Sequence, residues 1–241
     1  MNNLYSMINK RKSHRSFDKS RKLSISEVEK LISGFDVSVL DGDKPIVTVV
    51  DVSETSCPRG DLCLMYYGSK DEKGLVAAGY YLEQLDLYLQ QNGVGVCWYG
   101  FGRTKERQKD GKDFVIMLNL GYAEEGALRH DESEFKRNDF SSFITGAFDE
   151  RVLRDVRLCP SACNSQPWLL ISDGESLKVK RGKGNISMLV GKYKDYFNLI
   201  DMGIFLFFLE LSLKANGYSF DRELFSDGYI AKYDDIVKKI E

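Results

Sequence analysis

The stretch Gly79–Gly93 (GYYLEQLDLYLQQNG) has a second copy at Gly203–Gly217 (GIFLFFLELSLKANG), and this pair decides how the chain is organised. The two copies align without a gap at an offset of 124 residues, and Asp86 falls opposite Glu210. Leucines alone could coincide in two unrelated helices, but the shared first glycine and the shared Asn-Gly end favour an internal duplication. The identical pairs are Gly79/Gly203, Leu82/Leu206, Leu85/Leu209, Leu87/Leu211, Leu89/Leu213, Asn92/Asn216 and Gly93/Gly217.

A weaker match extends the repeat toward the start of each half. Arg11–Phe17 (RKSHRSF) aligns with Arg137–Phe143 (RNDFSSF) at an offset of 126 residues. We therefore predict a first half at residues 1–135 and a second half at residues 136–241. Two such copies can pack as a pseudo-two-fold pair, the intramolecular version of an isologous dimer.

The hydrophobic pattern predicts helices that interleave with strands, which is typical of an α+β protein. Each half is expected to have a central antiparallel or mixed sheet flanked by helices. Ser24 or Ser26 can begin the first helix, since a glutamate follows each of them three residues later. The predicted helices are 24–32, 75–91, 149–158 and 197–215; the predicted strands are 45–52, 94–101, 114–120, 168–172 and 177–180, the last two as a hairpin around Asp173-Gly174.

Composition excludes several classes of function. The 34 basic and 36 acidic residues leave a net charge of −2, which gives no electrostatic case for nucleic acid or an anionic membrane. The most apolar stretch, 197–213, contains two acids and is too short for a membrane span, so we expect a buried helix. The N-terminus has no apolar signal-peptide region. The five cysteines form no CxxC pair, which disfavours a metal site and fits a reducing cytoplasm.

The first candidate motif is Arg11-Lys12-Ser13-His14-Arg15. Arginine offers a planar fork of donors that matches a phosphate, and serine adds a hydroxyl. The alternative is a solvated basic surface, which the spacing alone favours.

The second motif is Pro160-Ser161-Ala162-Cys163-Asn164-Ser165-Gln166-Pro167-Trp168, between a predicted helix and a predicted strand. The prolines fix the backbone, and the small residues let it approach a flat ligand closely. Two side-chain amides can donate and accept, as the polar edge of a heterocycle requires. The alternative is an ordinary turn with the tryptophan in the core, which so dense a set of prolines and amides makes less favoured.

The third motif is Gly93-Val-Gly95-Val-Cys-Trp-Tyr99-Gly100-Phe-Gly102. It follows a helix and enters a strand, whereas a dinucleotide-binding fingerprint runs from strand into helix with a third glycine. We therefore reject a Rossmann interpretation. Gly100 can bring backbone close to a ligand ring, and a plain buried strand is an equal alternative.

Together these motifs resemble the FMN-dependent nitroreductase superfamily. RKSHRSF is similar to its opening Arg-Arg-Ser-x-Arg-x-Phe, CPSACNSQPW to its Ala-Pro-Ser-x-x-Asn-x-Gln-Pro-Trp, and GVGVCWYGF to its Gly-x-Gly-x-x-Trp-x-Gly-Phe. LNLGYAEEGALRH followed by FKR resembles a Leu-Gly-Tyr-Pro strand end with basic residues after it, except that Ala123 replaces the proline.

The resemblance implies an FMN cofactor, NADH or NADPH as electron donor, and a small-molecule acceptor. It implies no catalytic side chain, since the flavin carries the chemistry. It implies that the FMN phosphate and ribityl chain meet Arg11, Lys12, Ser13 and Arg15; that the ring meets Pro160, Ser161, Ala162 and Asn164; that Tyr99 and Gly100 lie near the flavin N5 edge; and that Lys136 and Arg137 close on the phosphate. Arg137 has a second interpretation, as the remnant of the repeated Arg-Ser segment, and both stay open.

The order of the motifs departs from the usual family. The Pro-Ser loop stands in the second half, and the first half has no copy of it near Ser33-Gly34-Phe35. Usual members are homodimers whose flavin sites draw on both subunits. The resemblance to a small subgroup of fused nitroreductases implies one FMN site per chain and a monomer that acts as a pseudo-dimer, with a further homodimer left open.

Three alternative functions remain. One is a flavin enzyme of the same fold with different chemistry, such as flavin destruction or reductive dehalogenation. Another is a degenerate protein that binds flavin weakly or serves as a binding module. The third is a redox sensor that uses Cys159 and Cys163, although their spacing favours structural thiols.

Overall fold

The computed structural model describes residues 4–40, 44–185 and 191–238. Within them the chain forms two sheets and four α-helices, which confirms the predicted α+β class. It divides into two units, residues 1–131 (unit 1) and 132–241 (unit 2).

Unit 1 is built on one long buried helix and an antiparallel sheet. The strand order is β1-β2-β5-β3, and β4 pairs with the first two residues of β5. The long helix α2 packs on β2, β3 and β5. The elements are α1 Ile25–Ser33, β1 Ile46–Asp51, β2 Leu62–Gly68, α2 Glu72–Gln91, β3 Val94–Tyr99, β4 Gln108–Lys109 and β5 Lys112–Tyr122.

Unit 2 has its own sheet, with the order β6-β7-β8-β10-β9. Only the β6–β7 pair is parallel among the strands that the structure describes here. The helix α4 packs on α3, β8 and β9. The elements are β6 Ile144–Thr145, α3 Glu150–Arg157, β7 Trp168–Ser172, β8 Leu177–Arg181, α4 Gly191–Ala215, β9 Tyr218–Leu224 and β10 Ala231–Lys238.

Apart from the two-residue strands β4 and β6, the two units have the same plan. Each runs short helix, two strands, long helix, two strands. The sheet order β1-β2-β5-β3 in unit 1 corresponds strand by strand to β7-β8-β10-β9 in unit 2. The sequence repeat therefore coincides with a repeat of topology that includes elements with no visible sequence match.

The repeated helices keep one polar contact in common. On α2 the buried carboxylate of Asp86 accepts a hydrogen bond from Trp98 Nε1 on β3 at 2.9 Å. On α4 the buried carboxylate of Glu210 accepts one from Arg222 on β9 at 2.6 Å. Each donor stands twelve residues after its acid, so the offset of 124 residues continues from the helix into the next strand. In both units a buried acid thus links the long helix to the strand that follows it.

Local sequence signals set the helix ends. Ser24 begins α1 in a complete capping box with Glu27, as one of the two predicted caps. The long helix of unit 1, α2, begins earlier than predicted because Asp71 accepts the Gly74 N–H. It ends at Asn92, and Gly93 follows in the left-handed region with φ +79°.

Five strands were absent from the sequence prediction: β2, β9, β10 and the two-residue strands β4 and β6, which are too short to show a period. All seven residues of β2 are buried, so its side chains give no alternation to detect. Exposure does alternate along β9, but Asp221, Arg222 and Glu223 hide the pattern from a hydrophobic scale. In β10 a register shift between Asp234 and Val237 breaks the period.

The apolar helix α4 is long enough to cross a membrane by composition. Most of its apolar window is buried inside the fold, and a core helix passes the same test. Its packing on the helix and strands of unit 2 therefore accounts for its composition.

Two glycines with matched backbones provide a test of the loop before β2. Gly60 and Gly111 have φ +76° and +77°. A Cβ on Gly60 would lie 2.5 Å from Asn119 Nδ2, whereas one on Gly111 would meet no atom within 4 Å. We expect Gly111→Ala to lower the free energy of unfolding by about 1–2 kcal/mol through backbone strain alone. Gly60→Ala should cost about 1–3 kcal/mol more through overpacking.

The measurement is urea unfolding followed by Trp98 fluorescence in a Trp168→Phe background, which reports unit 1. Equal losses in the two variants would contradict the close contact at Gly60.

Candidate functional site

The segment that contains the first motif is held by a buried ion pair. The Arg11 side chain donates to Asp86 Oδ2 from Nε at 2.9 Å and from Nη2 at 2.7 Å. Burial lowers the pKa of Arg11, but the nearby charges of Asp86 and Glu83 outweigh it and raise the pKa overall. Arg11 is only 3% exposed. Its guanidinium therefore neutralises a helix carboxylate in the interior.

A second contact fixes the backbone beside it. Gln90 donates from Nε2 to Asp86 Oδ1 at 2.5 Å, which leaves its Oε1 as an acceptor. That oxygen accepts the Lys12 backbone N–H at 3.1 Å and lies 3.1 Å from His14 Nε2. The proton of the buried His14 ring therefore sits on Nε2, and burial lowers the pKa of this ring.

The network divides the predicted phosphate segment into two groups. Lys12 and Arg15 are exposed, and their side chains form no hydrogen bond or ion pair within the described residues. Ser13 is half-buried and its Oγ lies 3.4 Å from an Arg11 nitrogen. Arg11 therefore anchors the segment, while Lys12 and Arg15 present positive charge to solvent.

Arg15 also forms part of the wall of a cleft of about 880 Å³ within unit 1. This volume lies in the range of cofactor and substrate pockets. Two further basic residues, Lys19 and Arg59, line it, and Arg59 donates to the Arg15 carbonyl at 3.2 Å. Neither stands in the motif, so sequence reasoning missed both. The cleft is lined by Arg15, Ser16, Phe17, Asp18, Lys19, Pro58, Arg59, Gly60, Asp61, Glu124 and Glu125.

The predicted flavin-edge residues lie at the end of β3. Tyr99 is the last residue of the strand, is half-buried and packs against a core cluster that contains Met65 and Met117. Gly100 follows in a turn that the Gly102 N–H closes on the Tyr99 carbonyl at 3.2 Å. This places both residues on an edge of the sheet in unit 1.

The second motif forms a tightly turned loop in unit 2, residues 160–168. Cys163, Asn164 and Gln166 have φ of +51°, +55° and +48°, a region that side-chain-bearing residues rarely adopt. The Gln166 N–H donates to Ser161 Oγ at 2.9 Å and closes the turn. Such a backbone persists only where its surroundings hold it.

One face of α4 holds this loop, through Asn198, Asp201 and Phe205 at i, i+3 and i+7; Asn198 Oδ1 accepts from Ser165 Oγ at 3.3 Å. Asp201 Oδ1 accepts the Ala162 N–H at 2.8 Å, and its Oδ2 accepts from Ser165 Oγ at 3.1 Å. Phe205 stacks on Trp168, with ring centroids 5.1 Å apart. Helix spacing therefore puts a carboxylate under the middle of the loop and an aromatic ring under its end.

Arg137 holds the loop from another direction. It donates to the carbonyls of Leu158 at 3.2 Å and Cys159 at 3.0 Å, and to Asn164 Oδ1 at 2.9 Å. In return Asn164 Nδ2 donates to the Lys136 carbonyl at 3.0 Å. Arg137 is thus an anchor within unit 2, as Arg11 is within unit 1, and the exposed Lys136 is left facing solvent.

The two amides of the motif are also used inside the loop. Asn164 is bound as just described, and Gln166 Oε1 accepts the Asn138 N–H at 3.0 Å. Their donors and acceptors therefore shape the loop, in contrast to the expectation that they read the edge of a heterocycle. The hydroxyl proton of Ser161 is available to donate to a ligand, because Ser161 Oγ acts only as an acceptor among the contacts described.

Asp201 is a site residue that sequence reasoning missed. Burial raises its pKa to about 7, while the hydrogen bonds from Ala162 and Ser165 act in the opposite direction. The signal was present, because an acid in the middle of a helix that is apolar nearly all round needs a partner. At the level of the sequence, Asp201 serves only as an argument against a membrane-spanning helix.

The motifs and their geometry agree with a comparison against protein families. Residues 3–213 match the family model described as "Putative TM nitroreductase". The chain belongs to this nitroreductase family. A match over these residues includes the segment 11–15, the end of β3 and the loop 160–168, so all three motifs fall within the matched part of the chain.

A solved structure has a fold similar to that of this family member. The chain is similar to a "putative nitroreductase" from Thermotoga maritima, with 20% identity, a TM-score of 0.66, and coverage of 98% of this chain and 94% of that one. It also matches a nitroreductase family protein from Clostridium difficile 630, with 15% identity, a TM-score of 0.45, and coverage of 59% and 96%. No curated protein matches the chain.

The buried pair at Arg11 predicts a large stability effect in this family member. Arg11→Met leaves the Asp86 carboxylate buried without its cation, and we expect a loss of about 3–5 kcal/mol in the free energy of unfolding. The neighbouring change Lys12→Met removes an exposed charge and should stay within about 0.5 kcal/mol. Denaturant unfolding of both variants measures this. A stable Arg11→Met protein would show that Arg11 is not an anchor.

The raised pKa of Asp201 predicts a pH dependence of stability. An unfolded Asp titrates near its ordinary value of about 3.9. The folded group, at about 7, binds its proton more tightly. Its contribution to stability is therefore full below about pH 4 and is lost as the pH rises to about 7. Asp201→Asn removes this loss, so the variant should melt higher than wild type at pH 8 and lose that advantage only as the pH falls to about 4.

The matched control is Asp195→Asn on the same helix, at an exposed carboxylate. This variant should follow the wild-type melting curve at both pH values. The prediction fails if Asp201→Asn and wild type keep the same difference in melting temperature across the range.

Proposed function

We propose that this protein is an FMN-dependent NAD(P)H oxidoreductase of the nitroreductase type, with one flavin site per chain. Its acceptors would be nitroaromatics, quinones or similar small molecules. The observation that carries the proposal is the family match together with two exposed cations, Lys12 and Arg15, at the family's phosphate-binding segment.

The phosphate end supports the proposal through charge that the fold leaves available. The Arg11–Asp86 pair fixes the backbone of the segment before any ligand binds. Lys12 and Arg15 then carry their charge into solvent without a carboxylate partner in the described residues, and Ser13 adds a hydroxyl. A phosphate monoester needs such donors, and a preset segment loses little entropy on binding.

At the flavin ring, the loop 160–168 supports the proposal through its shape more than through its side-chain amides. Beside the left-handed turn at Cys163 and Asn164, the small residues Ser161 and Ala162 are half-buried and Cys163 is exposed. Ser161 can donate its hydroxyl proton, whereas Asn164 and Gln166 are engaged inside the unit. We therefore assign the ring contact to Pro160, Ser161 and Ala162, and we assign Asn164 and Arg137 to holding the loop. Tyr99 and Gly100 remain our proposal for the N5 edge, and Lys136 for an additional charge near phosphate.

The chemistry supplied by a bound FMN is hydride acceptance from NADH or NADPH and delivery to the acceptor at the same place, a ping-pong sequence. The protein's own residues would bind the phosphate, orient the ring and hold the loop. No side chain is required as a nucleophile.

We further propose that the two units descend from a duplication, which the shared strand order and the repeated acid-to-strand contact support. We also propose that the chain is a monomer that acts as a pseudo-dimer. It would work in the cytoplasm, with neither nucleic acid nor membrane as a partner. Its five free thiols fit a reducing compartment.

A second candidate is a nitroreductase-fold protein that binds flavin weakly and serves as a binding module. The internal engagement of Arg11, Arg137, Asn164 and Gln166 favours it, because each of these family site residues is bound within its own unit.

The visible spectrum of the purified chain separates the two candidates. FMN is added, unbound flavin is removed, and NADH or NADPH is added without oxygen. Flavin bound at about one per chain and bleached by the nicotinamide supports the reductase. Two flavins per chain would contradict the single site, and no flavin at high FMN would favour the binding module.

A charge test addresses the phosphate assignment. Arg15→Ala should weaken FMN binding about tenfold, because a charge-assisted contact of about 1.4 kcal/mol is lost. The affinity for riboflavin, which has no phosphate, should stay unchanged. Isothermal titration with both ligands measures this, with Arg21→Ala as a nearby exposed control that pairs with Asp18. An equal loss for both ligands would show that Arg15 does not meet the phosphate.

A further inference from the structure

Asp201 on α4 contacts the middle of the loop 160–168, which the amide of Asn185 also holds through the Asn164 carbonyl. Asp201 reaches it through both oxygens, one toward the Ala162 N–H and one toward Ser165 Oγ. Asp201 and Ser165 are 2% and 0% exposed, so water does not share these contacts. Whatever changes the hydrogen-bonding capacity of Asp201 therefore acts directly on the loop.

The hydrogens around Asp201 can be counted in each protonation state. Ser165 Oγ lies 3.1 Å from Asp201 Oδ2 and 3.3 Å from Asn198 Oδ1, but it has only one proton to give. If Asp201 is ionised, two acceptors compete for that proton. If Asp201 is protonated, it donates to Ser165, and Ser165 donates to Asn198. Each link then has one donor and one acceptor, while the Ala162 N–H keeps its bond to Oδ1.

The charge on the ionised form has no cationic partner among the described residues. Only burial and the hydrogen bonds from Ala162 and Ser165 affect the pKa of Asp201. An uncompensated buried charge is relieved if the surrounding backbone opens and admits water. The pKa of Asp201 has no contribution from the charged and titratable groups on the elements around it. These groups include Cys159 just before the loop, Cys163 in the loop, Arg154, Asp155 and Arg157 on α3, Lys178 and Lys180 on β8, Arg222 on β9, and Asp195 and Glu210 on α4 itself.

We propose that Asp201 is a positioning residue whose protonation sets the shape of the 160–168 loop and, through it, the affinity of the loop for the flavin ring. The protonated form holds the turn described above, and the ionised form loosens it. The flavin part rests on the proposed function, whereas the loop part concerns the protein without any ligand.

The first experiment follows the loop in the flavin-free chain. Trp168 ends the loop, and in a Trp98→Phe background it is the remaining tryptophan. Between pH 5.5 and 8.5 we expect its fluorescence to change with a midpoint near 7. Hydrogen–deuterium exchange of the peptide covering 160–168 in the unmodified chain, corrected for intrinsic rates, should show faster exchange above the same midpoint.

Two variants assign the transition. Asp201→Asn keeps an acceptor for the Ala162 N–H but cannot ionise, so its signals should be flat across the range. Ser165→Ala removes the hydroxyl that donates to the ionised carboxylate and accepts from the protonated one, so its midpoint should shift away from the wild-type value. The second variant keeps the test open if the first does not fold.

The second experiment measures FMN binding by flavin fluorescence at pH 6 and pH 8. Wild type should bind about five- to tenfold more weakly at pH 8, a coupling of ordinary size. Asp201→Asn should change by less than about twofold between the two values. Asp195→Asn, at an exposed carboxylate of the same helix, should behave as wild type.

Each outcome decides one part. No transition in either loop measurement, a wild-type midpoint kept in Asp201→Asn, or an unmoved midpoint in Ser165→Ala would overturn the inference. FMN binding with the same pH dependence in wild type and Asp201→Asn would overturn its flavin part and leave the proposed function intact. A transition that depends on Asp201, in a chain that binds no FMN at any pH, would support the loop part and remove the proposed function.

Discussion

Unit 1 depends on the hydrogen bonds that the buried carboxylate of Asp86 accepts. From the middle of a buried helix it accepts hydrogen bonds from Arg11, Gln90 and Trp98. Through these donors it ties the long helix to the following strand and to the N-terminal segment. A buried charge is tolerated only when it is paired and hydrogen-bonded, so the three elements must come together for any of them to be stable. The exposed cations beside Arg11 owe their position to this interior contact.

Unit 2 has the same order of helices and strands as unit 1 but differs in its buried acidic residues. Glu210 stands in the place of Asp86 and again bonds to the strand that follows, through Arg222, with Tyr233 as a second donor. A further buried acid, Asp201, has no counterpart in the first half, where Ala77 stands at the aligned position. It supports the Pro-Ser loop, which the first half also lacks. The acid and the loop are therefore found together in one unit and are both absent from the other.

Much of the candidate site could be predicted because its residues are close in sequence. Arg11 to Arg15 and Pro160 to Trp168 are continuous motifs, and the structure keeps each as one local segment. The role of each member was not predictable. Arg11, Arg137, Asn164 and Gln166 look like ligand contacts by residue type, yet the main partners of their side chains lie 21 to 75 positions away inside the fold. Gln166 also bonds to Asn164 across the tight turn. Arg59 and Asp201 show the converse, since contacts distant in sequence bring them to the site.

The sequence by itself determined the α+β class, the repeat and most helix ends, because periodicity, caps and glycines act over a few residues. It also determined the family, because the three motifs are local. Only the tertiary structure decided the strand order shared by the two units and the existence of β2, β9 and β10. It also decided which polar side chains form hydrogen bonds that hold the backbone. Those depend on pairing and burial between distant residues. A charge or hydroxyl is available to a ligand only if it has no hydrogen-bond partner inside the fold. Which groups have such partners depends on the packing of the whole fold.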